Sequence, residues 1–271
     1  MMTAMVRRLL RRGMAGTVML LMGVMVFQFA NPFIADSFGG EEGLQRMVEL
    51  LPPGLRSLAE LSPEFIALTG LAGYLSLAYD HPVYLVLVMS AIVGFTGRSI
   101  AGEVDRGTLA LTMARPIPRT NVYLARLVGL VILIVLFAVS GPIATWLGLV
   151  IAKPSGDVGI SQLATLGALC GLLAWSVGGL TLMVSAASNT TGRVVGWATG
   201  FLVVSFFVDY FAELWSVLEP IRPLSIFWYF DTTATIVDGA VPVKSMLVLG
   251  GSGVIGVVIG WRIFERRDLG I

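Results

Sequence analysis

Residues 102–120, with the sequence GEVDRGTLALTMARPIPRT, lie between two long apolar runs. PVYLVLVMSAIVGFTG precedes them from residue 82, and LVGLVILIVLFAVSGPIATWLGLVIA follows them from residue 127. A simple connection between helices is about 4–6 residues long. This one is longer, and it carries charges, threonines and two prolines. The pattern predicts an ordered element between two membrane helices, on which a partner docks.

Composition indicates that lipid surrounds most of the chain. Of the 271 residues, 56% are hydrophobic and 13% are charged, and the mean hydropathy is +0.87. A soluble domain carries about 25% charged residues, so this chain has too little polar surface to cover a water-facing globule. The net charge of +1 gives no indication of nucleic acid binding. The single cysteine, Cys170, excludes an internal disulfide and is expected to be a small packing residue.

Six segments are long and apolar enough to cross a bilayer as helices, which takes about 20 residues each. They fall at approximately 14–35, 82–102, 127–151, 162–188, 193–211 and 244–263. We therefore predict an all-α membrane protein in which residues 1–271 form a single transmembrane domain. The N-terminus has the charge and apolar run of a signal peptide, but Gln28 stands where cleavage needs a small residue. We expect an uncleaved first span.

The arginines are divided unequally between the two faces that six spans define. Both termini would share one face with the 98–126 loop and the turn at Arg193. That face has only four acids, Glu103, Asp105, Glu265 and Asp268. It holds 13 of the 18 basic residues: Arg7, Arg8, Arg11, Arg12, Arg98, Arg106, Arg115, Arg119, Arg126, Arg193, Arg262, Arg266 and Arg267. The positive-inside rule predicts a multi-pass protein of the cell (plasma or inner) membrane with both termini cytoplasmic.

The outer segments, 36–81 and 212–243, include apolar residues at helical spacing. We expect short interfacial helices covering the outer end of the bundle. Their apolar positions are Leu44, Met47, Val48 and Leu51 in the first helix, and Leu55, Leu58 and Leu61 in the second. Residues 65–79 are uncharged, but a seventh crossing there would put the arginines of the 98–126 loop outside. We expect a helix that lies in or dips into the outer leaflet.

The chain lacks the residue patterns of common catalytic sites. Its two lysines, Lys153 and Lys244, lie outside any phosphate-binding loop, and neither HExxH nor GxSxG occurs. The single histidine, His81, falls at the outer interface. We expect no enzyme activity, no cofactor and no metal in this chain. Charge is also nearly absent inside the spans, which disfavours an ion-coupled carrier.

Within the 102–120 stretch, we expect the second span to continue as helix to Val104 and to break at 105–107. Thr108 is expected to cap a short helix that Pro116 and Pro118 end, and Thr120 is expected to cap the next helix. Glu103 comes near a helix C-terminus, where an acid opposes the helix dipole. Its position therefore predicts a cationic partner, either Arg98, Arg106 or an arginine on another protein.

The stretch EVDRGTLALTMARPIPRTNVYLAR resembles the first cytoplasmic loop of ABC-2 type transporter permeases. In that family a glutamate precedes a GTL triplet, an apolar turn, a P-I/V-S-R-type element and a basic residue that opens the next span. These are Glu103, 107–109, 116–119 and Arg126 here, with Pro118 where serine is usual and arginine at 126 where lysine is common. LSIFWYFDTTATIVDG, residues 224–239, resembles the family's outer segment, with Thr232 where proline is expected.

The resemblance implies an ABC-2 (type V exporter-like) permease fold and a permease subunit of an ATP-driven transporter, most naturally an exporter. Two permease copies, as a homodimer or a pair, would line the pathway, and a separate P-loop subunit would bind ATP and magnesium. Segment 103–120 would couple the two, through Glu103, Asp105, Arg106, Thr108, Leu109, Leu111, Arg115 and Arg119. The outer residues that would face substrate are Phe227, Trp228, Tyr229, Phe230 and Asp231. A membrane anchor for an ATPase and an ion-coupled carrier remain alternatives.

Overall fold

The computed structural model describes residues 2–39, 43, 46, 50, 63–114 and 116–267. Two helices begin the chain, α1 (Met2–Arg11) and α2 (Met14–Ser37). After the gap come α3 (Pro63–Asp80), α4 (Pro82–Ser99), α5 (Ala101–Asp105), α6 (Thr108–Met113) and α7 (Arg119–Ala152). The second half contains α8 (Ile160–Ala187), α9 (Thr191–Leu214), α10 (Thr232–Asp238) and α11 (Val243–Arg266).

Six of these helices are long and apolar enough to cross a membrane: α2, α4, α7, α8, α9 and α11. Each overlaps one of the six predicted spans, so the expectation of an all-helical, multi-pass membrane protein is confirmed. The second span ends at Ser99 rather than continuing to residue 102, because the helix is interrupted at Ile100 before α5. The third helix begins at Arg119, so it extends well beyond the predicted span of 127–151.

Helix α8 occupies the centre of the bundle and packs most closely against α11. A methyl group added to Gly179 of α8 would lie 2.3 Å from the carbonyl oxygen of Gly253 on α11. A methyl group on Gly256 would lie 2.5 Å from the backbone of Gly179. The two backbones therefore touch without intervening side chains, which is how small residues bring helices together in lipid.

Helix α3 shows how the uncharged run at 65–79 is placed in the fold. Gly70 has φ 56° and ψ −141°, a non-helical conformation that divides the helix. The second half is buried, and the Tyr79 hydroxyl lies 2.9 Å from that of Thr145 on α7. Thr145 is seven residues before the end of α7, or about 10 Å along the helix axis. The run therefore dips into the bundle and turns at His81 into α4.

The predicted interfacial helices at Leu44, Met47, Val48 and Leu51 and at Leu55, Leu58 and Leu61 lie outside the described residues. At the end of the bundle where α3 turns into α4, α10 packs against both α3 and α8. Thr232 of α10 donates a hydrogen bond to the carboxylate of Asp80, and Gln162 of α8 donates to the carbonyl of Ile236 at 2.9 Å. Helices α3 and α10 thus close this end of the bundle. The other end, formed by α1, α5, α6 and residues 262–267, is called the arginine-rich end, and the end closed by α3 and α10 is called the opposite end.

We expect Gly179→Ala to lower the free energy of unfolding by about 1–3 kcal/mol, because the added methyl forces α8 and α11 apart. Gly251→Ala is the matched control, since nothing lies within 4 Å of its added methyl on α11. Thermal or denaturant unfolding of the purified protein in detergent measures both variants. Equal stability of the two variants would contradict the backbone contact between α8 and α11.

Candidate functional site

A sharp corner lies at the arginine-rich end, where the chain leaves α4 and returns in α7. Helix α5 follows the break at Ile100 and ends at Asp105. Arg106 and Gly107 then turn the chain, and Gly107 adopts the left-handed conformation with φ 65°. Glycine suits this position because a side chain would be strained there. The break predicted at 105–107 thus falls at 106–107, since Asp105 still belongs to α5, and it separates α5 from the short helix α6.

Glu103 and Arg126 form a buried ion pair inside this corner. Glu103 is 5% exposed and Arg126 is 1% exposed. The Nη2 atom of Arg126 donates to Oε2 of Glu103 at 2.5 Å, and Nη1 donates to the carbonyl of Val122 at 2.7 Å. Nε donates to the carbonyl of Ser99 at 3.4 Å. The guanidinium therefore joins α7 to the last turn of α4 and to α5, and it satisfies a carbonyl at a helix end.

A second arginine reaches the same carboxylate from the junction of α1 and α2. Nη1 of Arg12 donates to Oε1 of Glu103 at 3.1 Å. The expected cationic partner of Glu103 therefore exists, but it is neither Arg98 nor Arg106, and both carboxylate oxygens are bonded within the chain, so no arginine from another protein is needed. Arg98 and Arg106 lie near Glu103 in sequence, whereas the observed partners, Arg12 and Arg126, lie 91 and 23 residues away. Only the tertiary arrangement of the α1–α2 junction and α7 around the corner brings them to the carboxylate.

Two further hydrogen bonds join the corner to the second half of the chain. The backbone N–H of Ala101 in α5 donates to Oγ of Ser185 in α8 at 3.1 Å. The N–H of Thr191, at the first turn of α9, donates to the carboxylate of Asp105 at 3.4 Å. An acid at a helix N-terminus is favourable because it meets the positive end of the helix dipole. Asp105 thus helps to fix where α9 begins.

Helix α6 presents opposite faces to the protein and to water. Leu109 is 3% exposed and belongs to the core, whereas Leu111 is 71% exposed. The predicted capping role of Thr108 is wrong, because Gly107 is the N-cap residue and the Thr108 hydroxyl donates to the carbonyl of Glu103 at 3.4 Å. Arg106 is exposed at the turn before α6. Arg115 lies outside the described residues.

Arg119 and Thr120 hold the C-terminal end of α11. Arg119 donates to the carbonyls of Glu265 at 3.0 Å and Arg267 at 2.7 Å. The Thr120 hydroxyl donates to the carboxylate of Glu265 at 2.6 Å. The predicted capping role of Thr120 is therefore wrong, and the N-cap of α7 is Pro118. Among the predicted interface residues, Arg106 and Leu111 face outward, whereas Glu103, Leu109 and Arg119 make contacts within the chain.

At the opposite end, the aromatic segment forms a short turn before α10. Phe230 is buried, and Asp231 caps α10 by accepting a hydrogen bond from the N–H of Ala234 at 2.8 Å. Trp228 lies under the ammonium of Lys244, whose Nζ atom is 3.0 Å from the ring centroid, a cation–π contact. Tyr229 donates its hydroxyl proton to the carbonyl of Pro223 at 3.1 Å. These contacts stabilise the segment itself.

Phe227 instead lines a groove of about 380 Å³ between α4 and α9. The groove is apolar except for Ser90 and Thr199, one on each wall. The structure brings Phe227 to this groove, while Trp228, Tyr229, Phe230 and Asp231 are absent from its lining. Among the described residues, no group of three or more His, Cys, Asp or Glu side chains is close enough to hold a metal ion.

The sequence did not identify Arg126 as a buried residue. The predicted span began at residue 127, which left Arg126 at the membrane surface. Helix α7 begins at Arg119, so Arg126 lies seven residues, or about two turns, inside the helix. A charged residue at such a position needs a partner, and this signal was present in the sequence. The sequence does not show which residue that partner is, because the partner is brought close only by the fold.

We expect Glu103→Gln to lower the free energy of unfolding by about 3–5 kcal/mol, because Arg126 would stay buried without a counter-charge. Arg12→Gln is the control and should cost less than about 1 kcal/mol, since Arg12 is 33% exposed and Arg126 still pairs with the carboxylate. The double variant Glu103→Leu with Arg126→Met should recover part of the loss. Similar losses for Glu103→Gln and Arg12→Gln in unfolding experiments would refute the central role of the buried pair.

No curated protein matches the chain. The sequence profile of the ABC-2 family transporter proteins matches residues 7–269, which is nearly the whole chain. The match includes all six spans and the corner between α4 and α7. The chain therefore belongs to the ABC-2 family of transporter membrane proteins.

Proposed function

We propose that this chain is the permease subunit of an ATP-driven ABC transporter, working with a separate P-loop subunit that binds ATP and magnesium. The observation that carries the proposal is the orientation of α6. Leu111 is 71% exposed on this helix, which is otherwise anchored through Leu109, and the exposed Arg106 lies beside it. A single large apolar side chain on an anchored surface helix is suited to fill a pocket on a partner protein.

The corner beneath α6 supports a coupling role. The Thr108 hydroxyl bonds to the backbone of Glu103, whose side chain bonds to Arg126 of α7 and to Arg12 at the junction of α1 and α2. Through Ala101 and Asp105, the same corner contacts α8 and α9. A displacement of α6 by an ATPase would therefore be passed to four spans by direct contacts. In this proposal, Glu103 holds the coupling element in position, while Leu111 and Arg106 meet the partner.

The proposed pathway lies between two copies of the chain, at the face of α9. This helix is the least enclosed span, with 17% of its most apolar stretch buried, against 61% in α4 and in α8. Gly192, Gly196 and Gly200 lie along it at four-residue spacing, and a methyl added to any of them would meet nothing within 4 Å. The row is thus free for a second permease, and the groove between α4 and α9 borders the same face.

We further propose that the arginine-rich end is cytoplasmic, that the protein resides in the cell membrane, and that transport is outward. The positive-inside rule supports the orientation, and the resemblance to ABC-2 permeases supports the direction. An ion-coupled carrier is less suited to these observations. The charged side chains buried in the described part of the chain are Glu103 and Arg126, which pair with each other at one end.

We expect Leu111→Asp to weaken binding to the ATP-binding subunit by about tenfold or more, because it charges a side chain that would enter a pocket. The probe is an ATP-binding subunit that co-purifies with the wild-type chain when the two are co-expressed. Val217→Asp is the matched control, since Val217 is an exposed apolar residue at the opposite end. Leu109→Asp should instead reduce folding, because Leu109 is in the core. Unchanged co-purification of folded Leu111→Asp would reject α6 as the docking element.

We expect single cysteines at Ala114 and Ala240 to lie on different sides of the membrane. Both positions are exposed, at the arginine-rich and opposite ends respectively. In a Cys170→Ser background, an impermeant maleimide added to intact cells should label position 240 and leave position 114 unlabelled until the cells are opened. The reverse pattern would overturn the proposed orientation, and with it the cytoplasmic docking of an ATPase.

A further inference from the structure

A second cavity lies at the arginine-rich end, on the lipid-facing side of the bundle. It occupies about 560 Å³ between α1, α2, α4 and α7. Apolar side chains such as Val18, Val128, Ile132 and Leu136 line much of it. These side chains are exposed on the protein surface, on spans that lipid would surround. Three arginines, Arg7, Arg11 and Arg98, also line it. The cavity is therefore apolar along its length and cationic at one end.

Arg98 is the central polar group of this cavity. Its guanidinium lies against bare backbone, because a methyl on Gly13 would be 2.5 Å from Nη2 and one on Gly94 would be 3.5 Å from Nη1. The side chain thus folds back along α4 towards the apolar wall. Within the described part of the chain, no hydrogen bond or ion pair joins Arg98 to another residue. Arg98 is an exposed residue, so its guanidinium is accessible from outside the chain and has no partner among the described residues that would compete with a bound anion.

The nearby acids do not compensate this charge. Both carboxylate oxygens of Glu103 are already bonded, one to Arg12 and one to Arg126. Asp105 accepts a hydrogen bond from the first turn of α9 instead. Arg106 lines a smaller cavity together with Arg98 and adds further positive potential. The cationic end of the groove therefore attracts an anion from outside the chain.

We propose that this groove binds a phospholipid with an anionic headgroup. The phosphate and headgroup would accept hydrogen bonds from Arg98, Arg7 and Arg11, and an acyl chain would lie along Val18, Val128 and Ile132. The apolar wall favours an amphiphile over a soluble anion, because a free phosphate would leave that wall exposed to water. Basic pockets between membrane helices are suited to anionic lipid headgroups. The lipid would connect α1 to α4 next to the corner formed by Glu103.

The test uses the full-length purified chain in detergent, titrated with phosphatidylglycerol or phosphatidylcholine and observed by native mass spectrometry. The wild-type chain should bind a first phosphatidylglycerol more tightly than phosphatidylcholine. Arg98→Gln should weaken phosphatidylglycerol binding by about tenfold, because it removes one charge-assisted hydrogen bond. It should leave phosphatidylcholine binding unchanged. Arg98→Lys should fall in between. Arg193→Gln, which removes an exposed arginine outside the groove, should behave like the wild type.

Three outcomes would overturn the proposal. The first is that Arg98→Gln retains wild-type affinity for phosphatidylglycerol. The second is that Arg193→Gln loses as much phosphatidylglycerol affinity as Arg98→Gln does. The third is that excess inorganic phosphate displaces the lipid, which would indicate that the site binds a soluble anion. Thermal unfolding of each variant verifies its folding. If Arg98→Gln does not fold, Ile132→Trp provides the test, because the larger side chain fills the acyl part of the groove. Undiminished phosphatidylglycerol binding by folded Ile132→Trp would equally reject the site.

Discussion

The carboxylate of Glu103 holds two arginines from distant parts of the chain, and the arginine-rich end is arranged around this contact. Burying a carboxylate and a guanidinium costs several kcal/mol for each ion, and the cost is offset only when both are fully hydrogen-bonded. Arg126 meets this condition through Val122 and Ser99, and Glu103 meets it through Arg126 and Arg12. The pair therefore requires that α4, α5, α7 and the α1–α2 junction all be in place at once.

The same constraint explains why a short polar stretch in a hydrophobic chain is well ordered. Helix α6 has only six residues and is too short to be stable alone. It is held from one side by Leu109 in the core and from the other by the bond between Thr108 and Glu103. A surface element fixed in this way can transmit force, because it cannot move without moving the helices to which it is bonded. This physical property underlies the proposed coupling role.

The two ends of the bundle are stabilised by different chemistry. The arginine-rich end depends on charged side chains that bond to carboxylates and to helix-terminal carbonyls, as Arg119 does with Glu265 and Arg267. The opposite end is closed by hydroxyls and amides, such as those of Tyr79 and Gln162, by the carboxylates of Asp80 and Asp231, and by the cation–π contact of Lys244 with Trp228. Between them, the central helices are joined by backbone contact at Gly179 and Gly253. The proposed lipid groove lies at the arginine-rich end, where Arg98 has no hydrogen bond or ion pair among the residues that the structure describes.

The sequence by itself determined the fold class, the six spans and the presence of an ordered corner near residues 102–120. These follow from local properties, namely apolar length, helix-breaking residues and the distribution of arginine. It also predicted that Glu103 needs a cation, although the reason given, a position near a helix C-terminus, is wrong. Glu103 lies in the first turn of α5 and needs a cation because it is buried. Only the tertiary structure decided which cations these are, which leucine of α6 faces outward, and that Thr108 and Thr120 bond to other segments instead of capping. Each of these depends on contacts between residues far apart in the chain. The pattern of residues along one helix does not determine which other segment packs against it.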